Sequence, residues 1–392
     1  MTVRTRRRAA GRNVSDPAST ASIADRLRAA VGAVVDPELR RPIGELDMVA
    51  DARVDEAGAA QVAITLTVVG CPAADRIERE VREAALAVPG VASVEVTLGV
   101  MTPAQRAALT ERLRDGRTVR ENPFGPDSLT RVIAVTSGKG GVGKSTVTAN
   151  LAALAAARGL RVGVIDADVH GYSIPGLLGL TSPSGPVRPT RIDDLIVPPV
   201  GFGVKAISIG MFLETAAPVA WRGPMLHRTL NQFLTEVYFG DLDLLLLDLP
   251  PGTGDVAISA GQLLPAAEVI VVTTPQPAAA DVAIRSGQLA AQTGQRVIGV
   301  VETMSGPAES PLFGSGGGLA TADRLTEALG TPVPLLGSIP LSVALREGGD
   351  VGTPLVISDP DAPASLEFGS ILDRILRSGR GLAGRALPVQ PR

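Results

Sequence analysis

Cysteine is almost absent from this chain, since Cys71 is the single thiol among 392 residues. One cysteine cannot form an intrachain disulfide, so a disulfide-stabilised scaffold is excluded. Aromatic residues make up only 3% of the sequence. That low content argues against base-stacking platforms for single-stranded nucleic acid. The core must therefore be built from alanine and aliphatic side chains.

Strong net charge and long apolar runs are lacking as well. The formal net charge of −3 gives the whole protein no electrostatic reason to bind DNA or an anionic membrane. The leucine run at 244–247 lies between Asp243 and Asp248 and is far shorter than a membrane span. The basic start is not followed by the apolar stretch of a secretory signal. We therefore expect a cytoplasmic protein with no nucleic-acid partner and no membrane partner.

The sequence does contain ample apolar material, with 45% hydrophobic and 20% charged residues, as in soluble globular proteins. The basic tail fits a disordered segment better than a nucleic-acid or lipid-binding arm, because nothing amphipathic accompanies its arginines. The predicted organisation is a disordered basic tail at 1–19, a small α+β domain at 20–113, a linker at 114–130, a larger domain at 131–378 and a flexible tail at 379–392.

Strand and helix patterns alternate from residue 131 onward, which indicates an α/β fold with a doubly wound, mostly parallel sheet. The predicted strands of this sheet lie at 131–136, 161–166, 204–209, 243–248, 268–273, 296–302 and 334–339. The small domain has its own pattern of predicted elements. These are helices at 20–34, from Cys71 and at 103–114, and strands at 44–54, 60–68 and 91–100.

The most informative segment is SGKGGVGKST at 137–146, between a predicted buried strand and an alanine-rich helix at 147–159. Strand, glycine-rich loop and helix in this order indicate a phosphate-binding loop. Glycines let amide N–H groups turn inward, and the helix N-terminus adds partial positive charge. Lys144 can reach the β- and γ-phosphates, Ser145 can ligate Mg²⁺, and Thr146 can touch the outer phosphate. The predicted nucleotide-binding residues of this loop are Gly138, Lys139, Gly140, Gly141, Val142, Gly143, Lys144, Ser145 and Thr146.

Carboxylates follow two further predicted strands, at the edge where ligands bind in open α/β sheets. Asp166 and Asp168 can hold Mg²⁺ through water and orient the attacking water, or can cap a helix or turn. Asp248 occupies the position of a Walker-B carboxylate that holds the Mg²⁺ shell. The amide N–H of Gly252, in the loop that follows, can sense the γ-phosphate. Asp255 fits an interface group or a helix N-cap equally well.

The phosphate loop resembles that of the MinD/ParA/NifH/ArsA group of ATPases, because Lys139 directly follows its first glycine. The resemblance implies a homodimer that sandwiches nucleotide, with Lys139 crossing to the partner's phosphates. Its charge is then supplied only when two subunits meet, like an arginine finger given in trans. Lys139, Lys144, Asp166 and Asp168 are thus the predicted catalytic residues.

Within that group, residues 20–375 resemble the Mrp/ApbC family of ATP-binding iron–sulfur cluster carriers. The resemblance implies Mg²⁺-dependent ATP hydrolysis and cluster transfer from scaffold proteins to recipient apoproteins. The 20–113 segment resembles the PaaD/SufT-type assembly module. The matching segments are 36–38 and 70–72 in that module, and DADVHGYSIP (166–175), WRGPML (221–226), DLPPGTGD (248–255), VVTTPQPAAADVA (271–283) and ETMSG…FGSGGG (302–318) in the larger domain.

One departure from this family concerns the cluster ligands. Its carrier members have a CxxC pair before the FGxGGG stretch, whereas this chain has no cysteine there. Cys71 is the remaining candidate iron–sulfur ligand, and a free cysteine beside a helix start is the equal alternative. A helix N-terminus would lower its thiol pKa. His170 and His227 fit structural roles better than ligand roles.

The other departure concerns the nucleotide base. Thr303 stands where the family has an asparagine that reads adenine, and threonine cannot make a bidentate amide contact. ATP remains the expected nucleotide because no NKxD-type guanine motif is present. Pro275 and Gln276 fit either the base pocket or a plain strand-end turn.

Two other functions stay open from the sequence. One is a MinD/ParA-like nucleotide-switched regulatory or positioning ATPase, for which 370–389 offers only a glycine-broken amphipathic segment. The other is an ATP-dependent adaptor that has no cluster of its own, since the CxxC pair is missing.

Overall fold

The structure is a computed structural model that describes residues 22–68, 71, 73–114, 121–169, 171–183, 185–213, 223–306 and 312–379. By its internal contacts the chain divides into two compact units, residues 1–105 and 106–392. The tail predicted at 1–19 lies outside the described residues, as does nearly all of that at 379–392. Also outside them are His170 and parts of the linker and of the motifs at 70–72, 221–226 and 302–318. The finer domain boundaries stay predictions.

The first unit is a three-stranded sheet with helices packed on it. Its elements are α1 (Ile23–Gly32), β1 (Val49–Val54), β2 (Ala59–Leu66), α2 (Ala74–Leu86) and β3 (Ser93–Val100). β1 pairs antiparallel with β2, and β2 pairs parallel with β3. Leu27 of α1 and Ile77 of α2 are fully buried, as the apolar stripe of each helix requires.

Two predicted element starts in this unit are wrong by a few residues. β1 begins at Val49 rather than at 44, because the chain turns first, with Asp47 at a φ of +53°. α2 begins at Ala74 rather than at Cys71, because a turn precedes it in which the Ala74 N–H donates to the Cys71 carbonyl at 3.1 Å.

α3 (Pro103–Arg114) joins the two units along the chain. The second unit contains an eight-stranded sheet, two small hairpins and helices around them. Its strands are β4 (Arg131–Ser137), β5 (Val162–Asp166), β6 (Thr181–Ser182), β7 (Gly185–Pro186), β8 (Thr190–Ile192), β9 (Leu195–Val197), β10 (Val200–Gly201), β11 (Val204–Ser208), β12 (Leu244–Asp248), β13 (Glu268–Thr273), β14 (Arg296–Ser305) and β15 (Leu335–Pro340). Its helices are α4 (Lys144–Ala157), α5 (Ile174–Leu177), α6 (Gly223–Glu236), α7 (Asp255–Leu263), α8 (Pro277–Gln292), α9 (Gly317–Leu329), α10 (Val343–Val351), α11 (Leu355–Ser358) and α12 (Pro363–Arg377).

The large sheet has the order β10-β11-β5-β12-β4-β13-β14-β15. All neighbours pair parallel except β10 and β11. The predicted α/β class with a mostly parallel sheet is therefore confirmed. All seven predicted strands are present, and β14 extends to Ser305, beyond its predicted end.

The centre of this sheet is buried and mostly apolar. Every residue of β4, β12 and β13 is buried, as expected for strands covered by helices on both faces. β12 lies between β4 and β5, with Asp248 in register with Asp166 on one side and Val135 on the other. The phosphate loop and both carboxylate segments thus start from the same edge of the sheet. Among the described residues, no helix has the length and apolarity needed to cross a membrane.

Candidate functional site

The glycine-rich loop after β4 turns directly into α4, and two of its glycines are sterically required. Gly143 caps the helix at a φ of +78°, a left-handed conformation that side chains disfavour. A Cβ on Gly138 would lie 2.3 Å from the backbone nitrogen of Ala283 in α8. The loop therefore packs closely against α8 and turns directly into α4.

Lys144, Ser145 and Asp248 form the polar centre of this region. Lys144 Nζ lies 2.7 Å from Oδ2 of Asp248, and the Ser145 hydroxyl donates to the same oxygen at 2.6 Å. The Lys144 side chain is 6% exposed and that of Asp248 is fully buried. The P-loop lysine and the Walker-B carboxylate, predicted from separate motifs, are thus brought into direct contact.

Asp168 and Asp166 have different surroundings, although they are two residues apart. Asp168 lines the cavity and has Oδ2 3.6 Å from Lys144 Nζ. Asp166 is fully buried, and its carboxylate accepts from the Asp168 N–H at 3.1 Å, the Ile174 N–H at 3.3 Å and the Ser208 hydroxyl at 3.1 Å. Asp166 therefore holds the loop that carries Asp168.

Burial is the main influence on the ionisation of Asp166. Together with the negative charge of Asp248, it raises the pKa of Asp166 well above the ordinary value. Hydrogen bonds from Asp168 and Ser208 and the charge of Lys144 act in the opposite direction.

Lys139 and Gly252 lie at the outer part of the loop. Lys139 is exposed, and its Nζ lies 3.4 Å from Oε1 of Gln276. The Gly252 N–H, predicted to sense a γ-phosphate, here donates to the Ser137 carbonyl at 2.7 Å. This bond ties the loop after β12 to the end of β4, directly below the phosphate loop.

Thr303 lies beneath the phosphate loop, at the end of β14. Its Oγ1 is 2.6 Å from the Val142 carbonyl oxygen and 3.1 Å from that of Thr273. A hydroxyl has one hydrogen to donate, and both neighbours are acceptors, so this donor serves the protein itself. Thr303 lines the cavity but braces the loop, whereas the sequence suggested only a contact with the base.

A cavity of about 750 Å³ lies over the phosphate loop. Its lining includes most of the predicted nucleotide-binding residues. The predicted residues that are not part of the lining are Gly138, Val142, Asp166, Asp248 and Gly252. The predicted residues that line the cavity are Lys139, Gly140, Gly141, Gly143, Lys144, Ser145, Thr146, Asp168 and Thr303.

The far wall of the cavity comes from a segment that the sequence analysis missed. It consists of the end of β15, the N-cap Ser342 and residues of α10, including Arg346 and Asp350. Ser342 caps the helix by accepting the Leu345 N–H at 3.1 Å, and Arg346 pairs with Asp350 at 2.6 Å. The sequence does contain one indication of this segment. It follows a predicted parallel strand and therefore lies at the carboxyl edge of the sheet, where ligands bind.

Cys71 lies in the first unit and is 6% exposed. Burial, together with the negative charges of Glu38 and Asp36, raises the pKa of its thiol to about 11. N–H groups of Ala73 and Ala74 oppose this shift but do not overcome it. The expected lowering of the Cys71 pKa is therefore wrong, because burial outweighs the nearby helix start.

Metal ligands are sparse around the candidate thiol. Within the described parts of the chain, no group of three or more His, Cys, Asp and Glu side chains could hold a metal ion. His227 lies in α6 of the second unit.

The phosphate-loop residues, by contrast, fit a magnesium nucleotide. Mg²⁺ prefers hard oxygen ligands, and the Ser145 hydroxyl and an Asp248 carboxylate oxygen lie 2.6 Å apart. Loop amides, a helix N-terminus and Lys144 supply the donors and positive charge that phosphates require. The cavity also has the size typical of small-molecule sites.

Comparisons with known proteins place the chain in a family. A family model described as NUBPL iron-transfer P-loop NTPase matches residues 128–376, and one described as iron–sulfur cluster assembly protein matches 24–98. The iron–sulfur cluster carrier protein of Mycobacterium tuberculosis is 54% identical over 371 residues, or 93% of this chain and 96% of that protein. That of Mycobacterium leprae is 52% identical over 379 residues, or 95% and 98% of the two chains. A solved nucleotide-binding protein in complex with ADP, from Archaeoglobus fulgidus, is 33% identical, covers 60% of this chain and 90% of that chain, and has a TM-score of 0.43.

Proposed function

Because the chain belongs to the family of iron-transfer P-loop NTPases that includes the iron–sulfur cluster carrier proteins, we propose that it hydrolyses ATP as a homodimer and delivers clusters to apoproteins. The observation that carries the ATPase half is the contact of Lys144 and Ser145 with Asp248 beside a cavity of nucleotide size. Residues 131–378 form the nucleotide domain in this proposal, and 20–113 the assembly module.

Nucleotide binding exchanges one set of partners for another. Lys144 leaves Asp248 for the β- and γ-phosphates, and the loop amides hold the same oxygens. Ser145 and Asp248 hold Mg²⁺, which when bound neutralises charge that develops on the phosphates. The exchange keeps a positive charge beside the buried Asp248 carboxylate, whose desolvation would otherwise be costly.

Asp168 is the residue that orients the attacking water in this proposal. It faces the cavity and lies 3.6 Å from the Lys144 ammonium, whereas Asp166 is fully buried behind it. Asp166 acts through its hydrogen bonds to the N–H groups of Asp168 and Ile174, which fix the loop. The two predicted catalytic carboxylates therefore receive different roles.

A second copy of the chain completes the site through Lys139. This lysine is exposed at the rim of the cavity, and its Nζ lies 3.4 Å from the Gln276 amide oxygen. Its charge is available to a facing subunit, where it would stabilise negative charge on the transferred phosphoryl group. Nucleotide thus clamps the dimer, and hydrolysis releases it.

The cargo of the dimer is an iron–sulfur cluster, and Cys71 is its candidate ligand from this chain. Two copies supply two thiolates, and a cluster ordinarily needs four ligands. Donors from scaffold or recipient proteins complete the set in this proposal, which places the carrier in the cytoplasm with those proteins.

An ATPase assay of the full chain tests the first half. We expect Mg²⁺-dependent phosphate release by the wild type and none above background by Lys144→Ala. Calorimetric titration of ATP separates the two loop lysines, since Lys139→Ala should still bind ATP in the single subunit and Lys144→Ala should not. Equal rates for wild type and Lys144→Ala would refute the assignment.

An adaptor without its own cluster is the second candidate, and the buried state of Cys71 with its raised pKa favours it. Anaerobic reconstitution with iron and sulfide separates the two. A carrier retains both elements after desalting and loses them in Cys71→Ser, whereas an adaptor retains neither in any variant.

A further inference from the structure

Thr148 is a buried threonine that belongs to no motif of the sequence analysis. It lies in α4, one turn after Lys144, and is fully buried. Its Oγ1 is 2.8 Å from Oδ1 of Asp248 and 3.0 Å from the Lys144 carbonyl oxygen. The single hydroxyl hydrogen goes to Asp248, because a charged acceptor at the shorter distance gives the stronger bond.

The two oxygens of Asp248 therefore have different kinds of partner. Oδ2 accepts from Lys144 and Ser145, both of which line the cavity. Oδ1 accepts from Thr148, which lies behind the cavity lining. When Lys144 and Ser145 turn to phosphate and Mg²⁺, the bond from Thr148 is the one that ligand binding leaves in place.

We infer that Thr148 is a positioning residue for the magnesium half of the site. It holds Asp248 by Oδ1, so that Oδ2 stays aimed at the Ser145 hydroxyl and the metal. This inference rests on the proposed function, because it assigns a task to the same carboxylate.

Loss of the hydroxyl has a specific consequence for the metal. A buried carboxylate oxygen is left without its partner, and the carboxylate can rotate about its Cβ–Cγ bond. Phosphate contacts from the loop amides and Lys144 do not involve Thr148. The substitution should therefore weaken the contribution of Mg²⁺ to nucleotide binding and leave the metal-free affinity nearly unchanged.

Calorimetric titration of ADP into the full chain, once with Mg²⁺ and once with EDTA, measures that contribution. Thr148→Val keeps the side-chain shape, and Thr148→Ser keeps the hydroxyl. The matched control is Thr321→Val, because Thr321 is also fully buried and donates to the carbonyl four residues earlier, at 2.7 Å, but does not line the cavity.

The factor by which Mg²⁺ increases the affinity for ADP should be about tenfold smaller in Thr148→Val than in the wild type. The reason is that the variant loses a hydrogen bond to a buried charge. Thr148→Ser and Thr321→Val should show the wild-type tightening. A merely structural role would instead lower the melting temperature and weaken binding equally with Mg²⁺ and with EDTA. That result, or a wild-type Mg²⁺ effect in Thr148→Val, overturns the inference.

Two further outcomes are distinguishable. If Thr148→Val does not fold, Thr148→Ala replaces it under the same criterion. If the wild type itself binds no ADP, the proposed function fails and the inference falls with it. If the wild type binds ADP in an Mg²⁺-dependent way and Thr148→Val shows the same Mg²⁺ effect, the inference about Thr148 fails and the proposed function stands.

Discussion

Asp248 and Cys71 are both buried ionisable groups, one in each unit of the chain, and their surroundings are opposite. Asp248 is fully buried and accepts hydrogen bonds from Lys144, Ser145 and Thr148. Cys71 lies near the negative charges of Glu38 and Asp36 and has a pKa of about 11. The Asp248 carboxylate is surrounded by three donors, one of them a cation, whereas the surroundings of Cys71 favour the neutral thiol.

This difference shows what one chain supplies by itself. The phosphate site has its cationic, hydroxyl and amide groups already assembled around one carboxylate. To bind iron as proposed, the thiol of the first unit would have to be uncovered or deprotonated by something else, because the thiolate is the ligand. In the proposed function, partner proteins are therefore more important for the cargo than for the nucleotide.

The largest effect is expected from Asp168→Asn. Hydrolysis should fall on the order of 1,000-fold, because a positioned carboxylate that acts on the attacking water contributes about that much. ADP binding should stay close to wild type. Single-turnover hydrolysis and calorimetry on the same samples check this. A larger loss of hydrolysis in Asp166→Asn with unchanged folding would reverse the roles of the two carboxylates.

Lys139→Ala should lower hydrolysis about 100-fold, which is below the range known for an arginine supplied in trans. Nucleotide binding to the single subunit should persist, because Lys144 and the loop amides are unchanged. The rate per subunit of the wild type should rise with protein concentration as dimers form, and that of the variant should stay flat. A wild-type rate that does not depend on concentration would contradict the proposed dimer.

The thiol of Cys71 should react slowly with iodoacetamide at pH 8. Its pKa is raised from 9.0 to about 11, so the thiolate fraction, and with it the rate, should be about 100-fold below that of the unfolded chain. Because a raised thiol pKa means that the proton is lost only at higher pH, the rate should climb until the pH reaches 11. Mass spectrometry of the labelled protein follows it. Fast labelling of folded protein at pH 8 would remove the contrast between the two regions.

Thr303→Val should have the smallest effect of the four. It leaves the buried Val142 carbonyl without its donor, which costs about 1–3 kcal/mol of stability. Nucleotide affinity should fall about tenfold, because the same carbonyl belongs to the phosphate loop. Thr303→Ser should retain both properties. Thermal unfolding and ADP titration of both variants check this, and wild-type values in Thr303→Val would refute the bracing role.

The parts of the site that follow one another along the chain were predictable from the sequence. β4, the glycine loop and α4 are consecutive, and Asp248 ends a strand of unbroken leucines. Such patterns fix both the element and the edge of the sheet where it ends. The family resemblance, which the motifs carried, is confirmed by the family models and relatives.

The parts that depend on packing between distant segments were not predictable. Thr148 meets Asp248 because β12 lies beside β4, and α10 reaches the cavity because β15 ends at the same edge of the sheet. No local sequence pattern predicts either of these contacts. The predicted lowering of the Cys71 pKa was wrong for the same reason, because burial by the rest of the unit outweighs the effect of the helix start beside it.

Calorimetric titration of ATP with Mg²⁺ into the full chain tests most directly whether Lys144, Ser145 and Asp248 form a nucleotide site. We predict saturable binding by the wild type that is lost in Lys144→Ala and kept in Cys71→Ser. No heat of binding from the wild type, or equal affinity in Lys144→Ala, would contradict the account.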